Sequence, residues 1–191
     1  EAARRIETAL AGALPGARAQ ALLAPRPRLG WRPGVMPDGC RDAAALVLLY
    51  PAGGGAHFIL TLRPEGLVRH GGQVSLPGGA VEPGETIEQA AIREAQEEVG
   101  ADPAGMRVLG RLSPLHVPVS GFVIHPVVAW TDRLGVLRPE GGEVEAILEA
   151  SLVDLKDPER LREETRRLGG GEYAVPYFEL AGHKVWGATA M

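Results

Sequence analysis

The stretch from Gly79 to Ala101 limits the folds open to this chain more than any other. It reads Gly-Ala-Val-Glu-Pro-Gly-Glu-Thr-Ile-Glu-Gln-Ala-Ala-Ile-Arg-Glu-Ala-Gln-Glu-Glu-Val-Gly-Ala. Thr86 followed three residues on by Gln89 is a capping-box pattern, which predicts a helix starting just after Glu85 and leaving at Gly100. At about 100° per residue, Glu94 and Glu98 fall within roughly 40° of each other and Glu97 at the edge of that arc. Ile92, Ala95 and Val99 are expected on another side, packed on a sheet. Like charges four apart cost a few tenths of a kcal/mol per pair. Either this is a solvated acidic face, or a cation neutralises it. Carboxylate oxygens suit a hard divalent ion, and Mg²⁺ takes only one or two of them, leaving coordination open for a diphosphate. Gly78 and Gly79 can bring backbone close to such a ligand without a Cβ in the way.

The flanking sequence predicts mostly strands. Ala43–Tyr50 is a continuous apolar run ending at Pro51, the pattern of a buried strand. Gly53-Gly54-Gly55 turns it into a second strand over Phe58–Arg63. No Lys-Ser/Thr and helix follow those glycines, so they form a loop and not a phosphate-binding P-loop. Gln73–Leu76, Met106–Leu112 and Phe122–Trp130 are further strands, the last two separated by a loop over Pro114–Gly121. Glu143–Leu152 alternates apolar and acidic residues in part. Asp157 as N-cap and Pro158 as first helical residue predict a charged surface helix to Leu168. Tyr173–Leu180 and Lys184–Trp186 read as a closing hairpin through Ala181-Gly182. Strands around a helix, without regular β-α alternation, predict an α+β fold.

Before Ala43 lies a leader, taken as residues 1–38, with the main domain as 39–191. Ile6, Leu10 and Leu14 recur four apart and predict a helix over 1–14, stopped by Pro15 and Gly16. A short helix over Ala17–Leu23 precedes a proline-rich stretch. The leader is expected to pack on the domain or to form a contact in a homodimer.

Composition narrows the partners. A net charge of −4 on 191 residues supplies no basic field, so nucleic acid is excluded as the main partner. No apolar run is long enough to span a bilayer, so no membrane partner is expected. Cys40 is the only cysteine and the N-terminus lacks the apolar core of a signal peptide. Together these predict a reducing, cytoplasmic setting.

Gly79, Glu85, Arg93-Glu94, Glu97-Glu98 and Gly100 match every charged and glycine position of the Nudix box, without a gap. The chain therefore resembles the Nudix family, with alanine (Ala95, Ala101) where the box carries bulky aliphatics. The resemblance implies a mixed sheet sandwiched between helices and hydrolysis of a nucleoside diphosphate derivative with Mg²⁺ or Mn²⁺. By the same resemblance Glu94, Glu97 and Glu98 are metal ligands, joined by the Gly79 carbonyl, while Glu85 and Arg93 pair to brace loop against helix. The general base stays open between Glu94 and Glu97 in the box and Glu140, Glu143 and Glu145 beyond it.

Leu60-Thr61-Leu62-Arg63 and Arg69-His70-Gly71-Gly72-Gln73-Val74-Ser75-Leu76-Pro77-Gly78-Gly79 resemble the signature of the coenzyme A pyrophosphatase subfamily. Gly142-Glu143-Val144 and the ending Val185–Ala190 resemble it too. Pro64, Val68 and Leu76 depart from it, in the half specific to the subfamily. The implied substrate is CoA or acyl-CoA, bound by Arg63, Arg69, His70, Gly78 and Gly79. Arginine can hold phosphate through two parallel hydrogen bonds; His70 can equally fix the loop. The alternatives are another nucleoside diphosphate derivative such as ADP-ribose, or a regulatory module without turnover.

Overall fold

The apolar run after Cys40 becomes the middle of a mixed sheet. In the computed structural model, which describes residues 1–66, 71–168 and 170–191, β1 (Arg41–Ala52) lies parallel to β7 (Phe122–Thr131). Its other edge is shared. β4 (Gly78–Ala80) pairs antiparallel with Ala43–Ala45, and β2 (Gly55–Leu62) with Leu49–Ala52. β1 and β2 thus splay apart beyond their hairpin, and the chain from β3 (Val74–Ser75) through Pro77 to β4 enters the gap. Leu46 N–H donates to the Pro77 carbonyl at 2.8 Å and holds that wedge. β8 (Ala146–Ser151) extends the sheet beyond β2, while β5 (Met106–Arg111) and β6 (Leu115–Val117) pair with β7.

A strand this apolar needs cover on both faces. On one face α3 (Ile87–Val99) lays Ala90, Ala91, Ala95 and Val99 against Ala44, Leu46, Leu48, Ile59 and Val127. Alanines along the helix let its backbone sit close to the sheet. On the other face Leu49, Phe58, Leu60, Val128 and Trp130 meet Ile6 and Leu10 of α1 (Ala2–Leu10). They also meet Leu180 and Val185 of a small second sheet. That sheet runs β11-β10-β9, with β9 at Leu161–Leu168, β10 at Gly171–Leu180 and β11 at His183–Trp186. The architecture is α+β, with the mixed sheet between α3 and a second layer made of α1 and the small sheet.

α2 (Ala17–Leu23) and the β10–β11 hairpin lie where the sequence puts them. Four local expectations do not hold. The helix predicted over Asp157–Leu168 is a turn followed by β9: Arg160 N–H bonds the Asp157 carbonyl at 3.1 Å, and the next eight residues all find register partners in β10. Its charges suit either a helix or a solvated edge strand, and the ladder offered by β10 decides between them. The first helix ends at Leu10, so Leu14 lies beyond it. The loop Pro114–Gly121 contains β6. Ala91, not Ile92, completes the packed stripe of α3.

Candidate active site

Thr86 caps α3 as its sequence implies. Its hydroxyl accepts from Gln89 N–H at 3.2 Å, and Gln89 Oε1 accepts from Thr86 N–H at 2.8 Å. Gly100 ends the helix in the left-handed conformation, at φ 65°, where a Cβ would strain the backbone. Those two ends fix which residues face the glycine wedge.

Gly78 and Gly79 lie directly under the carboxylates. A Cβ on Gly79 would run into the Glu94 carboxylate, and one on Gly78 into the Ala44 carbonyl and Ala45 Cα. Gly78 N–H donates to Glu98 Oε2 at 3.3 Å. Burial pushes the Glu98 carboxyl up to about 7, against the Gly78 hydrogen bond. The charges of Glu94 and Glu143 raise it further, and that of Arg63 lowers it. The rise is a desolvation effect with like charge added, the condition a bound cation would relieve.

Arg93 ties the loop to the helix. Its Nε and Nη2 grip Glu85 at 2.8 and 3.1 Å, and Nη2 also donates to the Ala80 carbonyl at 3.1 Å. Nη1 bridges Glu94 at 2.8 Å and Glu97 at 3.2 Å. The planar fork suits this task, since one guanidinium can serve several oxygens in fixed directions. Its hydrogen bonds hold the Glu85 carboxyl below the usual range. Glu97 is the outlying member, with 60% of its side chain exposed.

Among the described residues, no three His, Cys, Asp or Glu side chains already converge into a cage for an ion. The donor set nevertheless fits a hard divalent cation that keeps open coordination. Glu94 and Glu98 flank backbone without side chains, and Glu98 is a half-buried carboxyl short of counter-charge. Of the residues outside the box, Arg63 stands closest in effect. It donates to Glu143 at 3.2 Å, its Nε is buried without a partner among the described residues, and both groups act on Glu98. Glu140 lies instead by Gly100, and Glu145 donates its N–H to the Leu62 carbonyl at 2.8 Å. Arg69 and His70 lie outside the described residues.

Sequence reasoning missed the Arg63–Glu143 pair, whose members are 80 residues apart and join only through β2 and the chain leading to β8. It also missed the Ala80 carbonyl as a partner of Arg93, for which no side-chain signal exists. A shallow cleft of about 500 Å³ lined by Glu82, Glu85, Gln89 and Arg93 borders the loop. A larger cavity of about 640 Å³, lined by Arg4, Arg107, Trp130 and Asp132, contains none of the box carboxylates.

Residues 41–168 match the NUDIX domain. Nudix hydrolase 15, mitochondrial, of Arabidopsis thaliana is 35% identical over an alignment of 164 positions, covering 78% of this chain and 55% of that protein. The mitochondrial coenzyme A diphosphatase NUDT8 of Mus musculus is 36% identical over 155 residues, covering 78% of this chain and 73% of the relative. The chain thus spans little more than half of the plant relative's length. Among solved structures, the Nudix hydrolase RenU of M. smegmatis superposes with a TM-score of 0.53 at 27% identity, over 61% of this chain and 74% of that one. A C. elegans Ap4A hydrolase superposes at 0.52 and 22% identity, over 62% and 88%, and so shares the fold. The domain match over residues 41–168 and the similarity to these relatives over 78% of the chain, with a box whose carboxylates close on a glycine wedge, lead to one conclusion: the chain belongs to the Nudix family.

Proposed function

We propose that this protein is a metal-dependent diphosphatase acting on CoA or acyl-CoA, releasing adenosine 3′,5′-bisphosphate and 4′-phosphopantetheine or its acyl derivative. The observation that carries the hydrolytic half is the placement of Glu94 and Glu98 against the Cβ-less backbone of Gly78–Gly79. Nudix hydrolases generally use divalent metal ions. In this chain Glu94, Glu98 and, less enclosed, Glu97 would hold Mg²⁺ or Mn²⁺, with the Gly79 carbonyl beside them. Such an ion supplies neutralising charge for the diphosphate and an activated water. Arg93, gripped by Glu85, holds Glu94 and Glu97 in place. Glu143, whose charge acts on Glu98, is the candidate base outside the box.

The choice of CoA rests on the similarity to a relative named as a coenzyme A diphosphatase and on the Leu60–Gly79 stretch. Arg63, whose Nη2 donates to the exposed Glu143 carboxylate, is proposed to turn to a substrate phosphate, with Arg69 and His70 beside it. A cytoplasmic setting rests on the lone cysteine, whereas both relatives described above are named as mitochondrial. Residues 1–38 are proposed as an extension whose first helix packs on the catalytic domain.

The test is a substrate panel of CoA, dephospho-CoA, acyl-CoA and ADP-ribose with Mg²⁺ and Mn²⁺, products resolved by chromatography. CoA is expected to give the two named products, with dephospho-CoA showing lower kcat/KM. Preferred cleavage of ADP-ribose would reassign the substrate, and no turnover of any member would favour a regulatory module.

A further inference from the structure

The outer edge of β9 carries a charge sequence that is complementary to itself. We propose that two copies of this chain associate by antiparallel pairing of their β9 strands about Thr165. Strand order β11-β10-β9 leaves β9 last, and among the described residues no strand pairs its far edge. Residues 161–163, 165 and 167 are exposed; 164 and 166 are partly so, with the Arg166 guanidinium 4.3 Å over the Trp186 ring on the face toward β11.

The backbone is turned the right way. Ala174 of β10 exchanges two hydrogen bonds with Arg26, at 2.8 and 2.9 Å, on the side away from β9. Opposite Ala174 in the ladder is Thr165. A residue whose N–H and C=O both point one way forms a non-hydrogen-bonded pair on its other side. Thr165 therefore directs its own N–H and C=O outward, and by alternation so do Glu163 and Arg167. Pro176, which has no N–H to give, sits opposite Glu163, where none is needed.

Centring the pairing on Thr165 sets Thr165 against its own copy. Glu163 then faces the second copy's Arg167, and Glu164 its Arg166, with the same two pairs repeated by symmetry. Opposite charges directly across an antiparallel pair stabilise it, and like charges destabilise it. Sliding by one hydrogen-bonding repeat in either direction places Arg166 against Arg166 or Glu164 against Glu164. Charges on an edge strand ordinarily block such pairing; this order permits one register and penalises its neighbours. Within the chain these groups are held by surface partners, Glu163 by Arg26, Glu164 by Lys184 and Arg166, and Arg167 by Glu172. The Glu163–Arg26 and Arg167–Glu172 pairs are exposed and contribute little, and the more covered Glu164 carboxylate can accept a further donor. The product is one continuous six-stranded sheet across the two copies. The proposal does not depend on which substrate the enzyme cleaves, because β9 contributes nothing to the glycine wedge.

Sedimentation of the full chain from low concentration to about 100 µM, which would fill an interface of micromolar Kd, tests it. The wild type is expected to pass from monomer to dimer, less readily at high salt. Thr165→Pro deletes an outward N–H and no bond to β10, and should weaken dimerisation about 100-fold or more. Glu163→Arg with Glu164→Arg, and separately Arg166→Glu with Arg167→Glu, should each be monomeric through like-charge opposition. Mixed in equal amounts, the two charge-reversed proteins should recover the dimer, a rescue that does not depend on Thr165→Pro folding. A wild type that stays monomeric, a dimer that survives all three variants, or a mixture that stays monomeric overturns the proposal.

Discussion

Glu98 is where the site's electrostatics are least settled without a ligand. Its carboxyl is raised from an ordinary 4.5 to about 7, by burial first. Below the lower value it is protonated in folded and unfolded chains alike. Between the two, the unfolded chain ionises first, so stability falls as pH rises toward 7. Glu85, Glu88 and Glu164 are shifted the other way, by ion-paired hydrogen bonds, and lose their contribution only as pH falls below the ordinary range. Metal-free protein should therefore lose Tm between about pH 5 and 7. The gain in Tm from Mg²⁺, which needs the carboxylate, should be larger at pH 8 than at pH 5.5. Thermal melts of wild type and Glu98→Gln check this, and equal metal gains at both pH values in the wild type would count against it. In turnover, Glu94→Gln and Glu98→Gln should each cost on the order of 100- to 1,000-fold in kcat with the fold retained. Near-wild-type rates in both would remove the metal-ligand assignment.

At the scale of the element, the loop and α3 work as one unit clasped by Arg93. Arg93→Lys keeps the charge but cannot reach Glu85, Ala80, Glu94 and Glu97 together. Such a supporting role predicts a loss of about 10- to 100-fold in metal affinity or activity, with little change in Tm. Gly79→Ala should be more damaging to turnover than to folding, since its methyl meets the Glu94 carboxylate. Steady-state kinetics beside calorimetry separate the two effects. Thr86→Ala removes half of the capping box and should cost about 1 kcal/mol, or about 2–4 °C in Tm for a chain of this size. The capping box and Gly100 could be read from the chain because caps depend on a few neighbouring residues. β9 could not, because Leu161–Leu168 has no strong period of its own and takes the conformation that β10 offers.

For the molecule as a whole, the two faces of the mixed sheet carry different duties. α3 and the glycine wedge hold the chemistry on one. On the other, α1 sets Ile6 and Leu10 into a core shared with Trp130, Leu180 and Val185. Leu10→Ala should therefore destabilise by about 1–2 kcal/mol and leave kcat unchanged, measured by denaturant unfolding and by turnover at a temperature where both proteins are folded. A fall in kcat would mean that the leader reaches the site. Among the described residues no helix is long and apolar enough to cross a membrane.

From the residues alone, the helix with its caps, the family, the buried strand at Ala43–Tyr50 and the closing hairpin were legible. Each depends on spacing along the chain, or on a turn of a few residues. Tertiary structure alone decided how the carboxylates are served. The splay of β1 from β2 brings Gly78 to Glu98, and β2 and the approach to β8 bring Arg63 to Glu143 across 80 residues. The same holds for the fate of Leu161–Leu168, whose charges fit helix or strand until β10 lies beside them. Local chemistry writes caps and motifs into sequence; burial, and the partner that relieves it, exist only once distant segments have met.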